Sequence, residues 1–384
     1  VLTSSTPSRT RAWVDVDLGA LVRNTRRLHE VAGRAPLIPM VKADAYGLGL
    51  PAVSSAFREA LEGRMLAFGV AAVSEGEALR DTGWKGDVIV FSPIPAEEAV
   101  RALEARLTVA VSSFDGVRDL ADAARSTGRR AVFHTEVDTG MGRAGFHDAA
   151  EPEWARKVEA AAGEAVWAGC FTHFHSADEP DLASCDAQWE RFQRIIRRID
   201  ADRTGSDPLL YHACNSAASI RRPDYRADAV RPGIFLYGGS VGGDVTPEAV
   251  ASVRARISLV REVPRGSTLG YGATYAASRA ERWGTVNAGY GDGVPRALWP
   301  GRGRALVRGR SVRIIGRISM DVLVVDLTGI TAAQAGDVVT LIGRDGDEEI
   351  QLDEVADRCG TISYEILTGL TPRLPRVYHR GADD

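Results

Sequence analysis

From Ala12 to about Arg231, short apolar runs alternate with longer amphipathic stretches. The runs are AWVDV (12–16), LIPMVKA (37–43), MLAFGV (65–70), DVIVF (87–91), TVAVS (108–112), AVFHTEV (131–137), VWAGCFTHF (166–174), LLYHA (209–213) and ADAVRPG (227–233). Between most of them lie patterns of helical period, such as LGALVRNTRRLHEVAG, FDGVRDLADAARSTG and AQWERFQRIIRRIDA. Several of these stretches close on glycine before the next run, the punctuation of an α/β chain. Roughly eight strand–helix alternations over about 230 residues predict a (β/α)8 barrel of the TIM type. A doubly wound sheet is the alternative, but no GxGxxG follows the first strand.

After about residue 245 the texture changes. RARISLVREV, ERWGTVNAG, GRALVRG, RSVRIIGRI, DVLVVDL and DVVTLIG read as strands, separated by Gly, Pro and Asp turns. One helical segment, LDEVADRCG, interrupts them. The expected organisation is therefore an α/β barrel over residues 11–245 and a mostly antiparallel β domain over 246–384. The first run, 12–16, is a candidate to pack with the second unit. Neither an internal repeat nor a long linker breaks this plan.

Composition narrows the class. With 384 residues, 45% of them hydrophobic, the chain has material for one barrel-sized core and a smaller one. Its 47 basic and 51 acidic residues leave a net charge of −4, which argues against a nucleic-acid or polybasic membrane role. Cys170, Cys185, Cys214 and Cys359 form no CxxC pair, so neither a zinc site nor a disulfide framework is expected, and a reducing cytoplasm fits. The opening VLTSSTPSRT is polar and no long apolar run follows, so it reads as a loose tail rather than a leader or span.

Only three of the 47 basic residues are lysines: Lys42, Lys85 and Lys157. Arginine stays protonated, so any chemistry that needs a neutral amine has three candidates. Lys85 lies in the turn TGWKGD and Lys157 on the helical pattern EWARKVEAAAG, both solvated settings. Lys42 falls at a strand end among Val41, Ala43 and Ala45, where barrels place active groups and where burial lowers an amine pKa. Such an amine is able to hold an aldehyde cofactor. Taken alone, a lysine snorkelling from a strand end reads equally well.

VKADAYGLG resembles the cofactor-lysine signature of alanine racemases, usually VKANAYGHG. EVDTGMGRAGF (136–146), THFHSADE (172–179), CNSAAS with AVRPGIFLYG (214–238), LGYGATY (269–275), NAGYGDGVPR (287–296), GRISMD (316–321) and TISYEILTGLTPRLPRVY (361–378) follow in that family's order. The likeness covers about Trp13 to Tyr378. It implies pyridoxal 5'-phosphate carried on Lys42, with Tyr46, Ser216, Tyr364 and the backbone at Gly233 and Ile234 around the phosphate. Arg231 is implied to face the pyridine nitrogen, and Lys42 and Tyr271 to be opposed bases, with His173 linking Tyr271 to Arg231. Arg143 and the Met320 backbone are implied to bind the substrate carboxylate, and Tyr290, Arg296, Arg317 and Asp178 to line an entrance.

Further implications are a head-to-tail homodimer with composite sites, a cytoplasmic setting and D-alanine supply for cell-wall synthesis. No metal, nucleic acid or membrane partner is implied. Four positions depart from the pattern. Glu136 stands where many relatives carry a carbamylated lysine, and is expected to provide the negative charge beside Arg143 without modification. Leu48, Asp44 and Ser319 replace the usual histidine, asparagine and cysteine, which keeps open a racemase preferring serine or another small amino acid. A decarboxylase of related architecture and a carrier without turnover are more remote alternatives.

Overall fold

The computed structural model describes residues 10–381. The polar opening stretch therefore lies outside the described residues, apart from Thr10.

The first apolar run, β1 (Ala12–Asp17), does not enter the barrel. Six later runs form one parallel sheet in chain order: β2 (Ala67–Val70), β3 (Asp87–Val90), β4 (Thr108–Val111), β5 (Val132–Glu136), β6 (Val166–Phe171) and β7 (Leu210–His212). The two remaining runs close the ring as short bridged segments. Leu37 bridges both Met65 and Val230, Met40 bridges Gly69, and Ala229 bridges His212, all parallel. Pro36, Pro39 and Pro232 lack the N–H that a continuous ladder needs, so these segments pair only at isolated points. Their carbonyls still accept: Ile38 N–H reaches Val230 O at 2.8 Å, and Met40 N–H reaches Pro232 O at 2.9 Å.

Beyond the barrel come β8 (Ala251–Val263), β9 (Thr268–Leu269), β10 (Tyr275–Ala276), β11 (Glu281–Val286), β12 (Arg304–Val307) and β13 (Arg310–Ile315). They continue with β14 (Leu323–Asp326), β15 (Val338–Asp345), β16 (Glu348–Ile350) and β17 (Arg376–His379). All except β9 and β10 join β1 in a nine-stranded sheet, ordered β16-β15-β12-β13-β14-β11-β8-β1-β17. Every pairing in it is antiparallel except β1 with β17. The six segments expected as strands are strands, and LDEVADRCG is a helix over Leu352–Cys359. A second short helix, Ser363–Thr368, was not marked by the sequence pattern.

The change of partner at β1 has a local cause. Its residues Val14 and Val16 are fully buried in the sheet, and Asp17 then stops the strand by capping the next helix, α1 (Leu18–Val31). The Asp17 carboxylate accepts the Ala20 N–H at 2.9 Å. The buried stripe of α1, including Leu21 and Leu28, packs on a helix at Leu50–Leu61, so one segment ties both sheets together.

Candidate active site

The groups implied for the site gather at the C-terminal ends of the barrel strands, around one open-mouthed cavity. Lys42, Tyr46, Arg143, His173, Ser216, Arg231, Gly233 and Tyr364 all line it. Lys42 does not simply end a strand. It opens a five-residue turn, Lys42–Tyr46, in which Ala43, Asp44, Ala45 and Tyr46 have φ of 53°, 53°, 54° and 57°. That is left-handed helical backbone, costly for residues with a Cβ. Glu75 braces it: its carboxylate accepts from Ala43 N–H at 2.7 Å, Ala71 N–H at 2.7 Å and Ala72 N–H at 3.2 Å. The half-buried Lys42 amine has its pKa lowered, first by burial and then by the Arg143 charge, against an opposing pull from Glu75.

Tyr46 stacks on Tyr237 with centroids 4.3 Å apart, and lies 5.9 Å from the Tyr364 ring. Burial keeps its phenol protonated far above neutrality and pushes Tyr364 up to about 12. Gly233 lies against Tyr46, and a Cβ there would collide with the Tyr46 hydroxyl. The Gly233 N–H donates to Ser216 Oγ at 2.8 Å. Ser216 opens a short helix that Asn215 caps, its side chain accepting from Ala218 N–H at 3.0 Å. Ile234 begins the helical turn Ile234–Tyr237 immediately after Gly233.

Arg231 is 5% exposed and held from several sides. It donates to Thr172 O at 2.8 Å, Ala213 O at 3.0 Å and His212 Nδ1 at 2.8 Å, and faces His173 Nδ1 at 3.3 Å. Its guanidinium carbon sits 5.2 Å from the Phe171 ring centroid and 5.6 Å from that of Phe91. Burial lowers its pKa to about 10, so it remains a cation at neutral pH. Burial and that cation hold His173 neutral, with a pKa of about 3. Because arginine only donates, His173 Nδ1 is an acceptor and the ring hydrogen sits on Nε2.

Glu136, at the end of β5, is 3% exposed and accepts from Ser112 Oγ at 3.2 Å. Burial raises its pKa, while the Arg143 charge works against that rise. Arg143 lies on a loop folded back on β5, with Phe146 N–H donating to Glu136 O at 2.9 Å. Asp138 closes the loop by accepting from Gly140 N–H at 2.8 Å and Gly142 N–H at 3.1 Å.

Two implied groups stand apart. Tyr271, between β9 and β10, is 70% exposed, and Met320 is 51% exposed; neither lines the Lys42 cavity. Tyr290, Arg296, Arg317 and Asp178 do not line it either. Sequence reasoning missed Glu75, His212 and Gln188. Gln188 is fully buried and donates to His173 O at 3.0 Å while accepting from His175 N–H at 3.1 Å. The one signal for His212 was a histidine at the end of an apolar run, LLYHA.

Together these features define a barrel protein whose half-buried lysine amine shares its cavity with a buried arginine and a neutral histidine, the setting of an aldehyde-binding site. Residues 16–241 match the alanine racemase N-terminal domain and residues 250–378 the alanine racemase C-terminal domain. An alanine racemase of Desulfosudis oleivorans is 36% identical, over 97% of each chain. The crystal structure of alanine racemase from D-cycloserine-producing Streptomyces lavendulae has a TM-score of 0.90 at 34% identity, over 99% of each chain. That of Bartonella henselae alanine racemase with covalently bound pyridoxal phosphate has a TM-score of 0.85 at 26% identity, covering 96% of this chain and 100% of that one. The chain belongs to the alanine racemase family.

Proposed function

We propose that this protein interconverts L- and D-alanine by a two-base mechanism using pyridoxal 5'-phosphate. The observation that carries the reading is the meeting of Lys42, Arg231 and His173 in one cavity, in a chain of this family. The residues fit the cofactor. Lys42 offers an amine of lowered pKa, and Gly233 leaves, beside Tyr46, a cradle that a Cβ would fill. Lys42 would hold the aldehyde, while Tyr46, Ser216, Tyr364 and the backbone of Gly233 and Ile234 would hold the phosphate. Bound there, the cofactor supplies an electron sink that acidifies the substrate Cα–H.

The chain's own groups shape the rest. Arg231, still protonated, would donate to the cofactor's ring nitrogen and leave that nitrogen without a proton of its own. The cofactor would then be a weaker sink, favouring return of the proton over transamination or decarboxylation. Lys42 Nζ moves the proton on one face, and the partner subunit's Tyr271 moves it on the other. His173 Nε2–H stabilises the phenolate oxygen. Arg143 and the backbone of the partner subunit's Met320 hold the substrate carboxylate, and the buried Glu136 carboxyl, electrostatically coupled to Arg143, orients it without a modified lysine. The exposure of Tyr271 and Met320 supports a head-to-tail homodimer in which each subunit completes the other's cavity. Among the described residues no helix is long and apolar enough to cross a membrane, and a cytoplasmic role supplying D-alanine to cell-wall synthesis fits.

Of the departures from the family pattern, Leu48, Asp44 and Ser319 do not line the Lys42 cavity. Leu48 is fully buried in the core, Asp44 Oδ1 accepts from Leu50 N–H at 2.8 Å, and Ser319 O accepts from Tyr290 N–H at 3.0 Å. Alanine therefore stands ahead of serine. Chiral chromatography of a panel of L-amino acids tests this, and faster turnover of serine would overturn it. Lys42→Ala is expected to lose the yellow colour and all turnover. Tyr271→Phe retaining turnover in both directions would sink the two-base assignment.

A further inference from the structure

His134 lies inside the barrel at the middle of β5, 4% exposed, and touches none of the groups assigned so far except His212. Its Nδ1 is 2.9 Å from His212 Nε2, across the width of β6. The strand between them makes room. Gly169, paired with His134 in the sheet, would with a Cβ stand 2.7 Å from both His134 Nδ1 and Cε1. The His212 ring is fixed as well, stacked on Phe171 at 5.1 Å and 5° and edge-on to Phe91 at 5.9 Å and 90°.

These contacts leave one arrangement of hydrogens. Arg231 only donates, so the His212 Nδ1 it faces is bare. Burial and the Arg231 charge keep His212 neutral, which places its single hydrogen on Nε2. That hydrogen requires His134 Nδ1 to be bare, and His134, also neutral, carries its own on Nε2. The dipoles of Arg231, His212 and His134 then run head to tail, acceptor ends toward the guanidinium.

We propose that His134 is a positioning residue for Arg231, acting through the His212 ring, which it anchors by accepting the Nε2–H. Without an acceptor at His134, the His212 Nε2–H is stranded in a dry interior, and the ring gains by shifting toward another partner for that hydrogen. A ring that shifts withdraws the Nδ1 to which Arg231 donates, and the guanidinium loses one of the contacts that aim it. The proposal rests on the racemase reading for its consequence, but the hydrogen arrangement stands by itself.

The test uses 15N-histidine-labelled protein, with and without pyridoxal phosphate, as wild type, His134→Leu and His134→Asn. Asparagine sets an amide oxygen close to where Nδ1 stood. Wild-type NMR spectra are expected to show His212 and His134 as neutral Nε2–H tautomers. His134→Leu is expected to shift and broaden the His212 nitrogen signals, to shift the pH midpoint of the bound-cofactor visible band, and to lower kcat roughly tenfold, with KM little changed. His134→Asn recovers most of both changes. A wild-type His212 that is charged or protonated on Nδ1 overturns the proposal, whether or not the leucine variant folds. So does a folded leucine variant whose His212 spectrum and band midpoint match wild type. Absence of alanine turnover by the wild type would instead sink the racemase reading and leave the spectra to judge the hydrogen arrangement.

Discussion

Glu75 is the brace on which the left-handed turn after Lys42 depends, and Glu75→Gln isolates its contribution. Four consecutive residues of that turn, Ala43 to Tyr46, hold φ between 53° and 57°. At about 1–2 kcal/mol each, their backbone strain is on the order of 4–8 kcal/mol, which tertiary contacts must offset. Glu75 accepts three backbone N–H groups, two of them at 2.7 Å. Glutamine keeps one acceptor oxygen, sets an NH2 against the remaining donors and removes the charge. Bonds to a charged acceptor are worth about 1.5–3 kcal/mol each, so a loss of about 2–3 kcal/mol is expected for this half-exposed group. For a chain of this size that lowers Tm by about 3–4 °C, measured on apoprotein by calorimetry. The second effect falls on Lys42. With the carboxylate gone, burial and Arg143 act unopposed, and the amine pKa falls further. Reductive 13C-methylation followed by NMR titration reads this directly, because Lys85 and Lys157 are the only other lysine signals. An unchanged Tm together with a Lys42 midpoint that stays put or rises would refute the reasoning.

Gly233→Ala forces a methyl group against the Tyr46 hydroxyl, and overpacking of about 1–3 kcal/mol should weaken pyridoxal phosphate binding about tenfold or more. Adding Tyr46→Phe should restore part of it in a fluorescence titration; equal affinity of Gly233→Ala and wild type would contradict the crowding. Glu136→Gln removes the charge beside Arg143 and is expected to raise KM for alanine about three- to tenfold, with a smaller change in kcat. A kcat loss with unchanged KM would place Glu136 elsewhere in the mechanism. Stability should fall on acidification. His134 and His173 have folded pKa values of about 3 and His212 is also depressed, so the unfolded chain binds their protons first as pH drops below its own value. Three such protons give a slope of up to about 4 kcal/mol per pH unit in the window from about pH 6.5 down to 3. Glu136, with its raised pKa, opposes this by one proton at most, at pH above its unfolded value. Urea unfolding that gives equal stability at pH 7 and pH 5 would exclude it.

Much of this protein is legible in the order of its residues. The alternation of apolar runs and helical stretches identifies a barrel followed by a β domain, because burial on both faces writes short continuous apolar strands. Motif order places Lys42, Arg231, His173 and Gly233, since each sits at a strand end where local pattern and site coincide. What the pattern does not decide is partnership. AWVDV reads like any other strand, and only its antiparallel register with β8 and parallel register with β17 take it out of the barrel. KADAY reads as a loop, and its left-handed backbone needs Glu75, which lies 33 residues from Lys42 in the chain and has no pattern of its own. His134 and His212 are unremarkable strand residues until β5 and β7 face each other past a glycine on β6. Hydrophobic periodicity is a property of neighbours along the chain, whereas hydrogen-bond direction, charge state and strain depend on neighbours in space. The fold and the choice of the proposed reacting groups therefore belong to the sequence, and their protonation and aim belong to the tertiary structure.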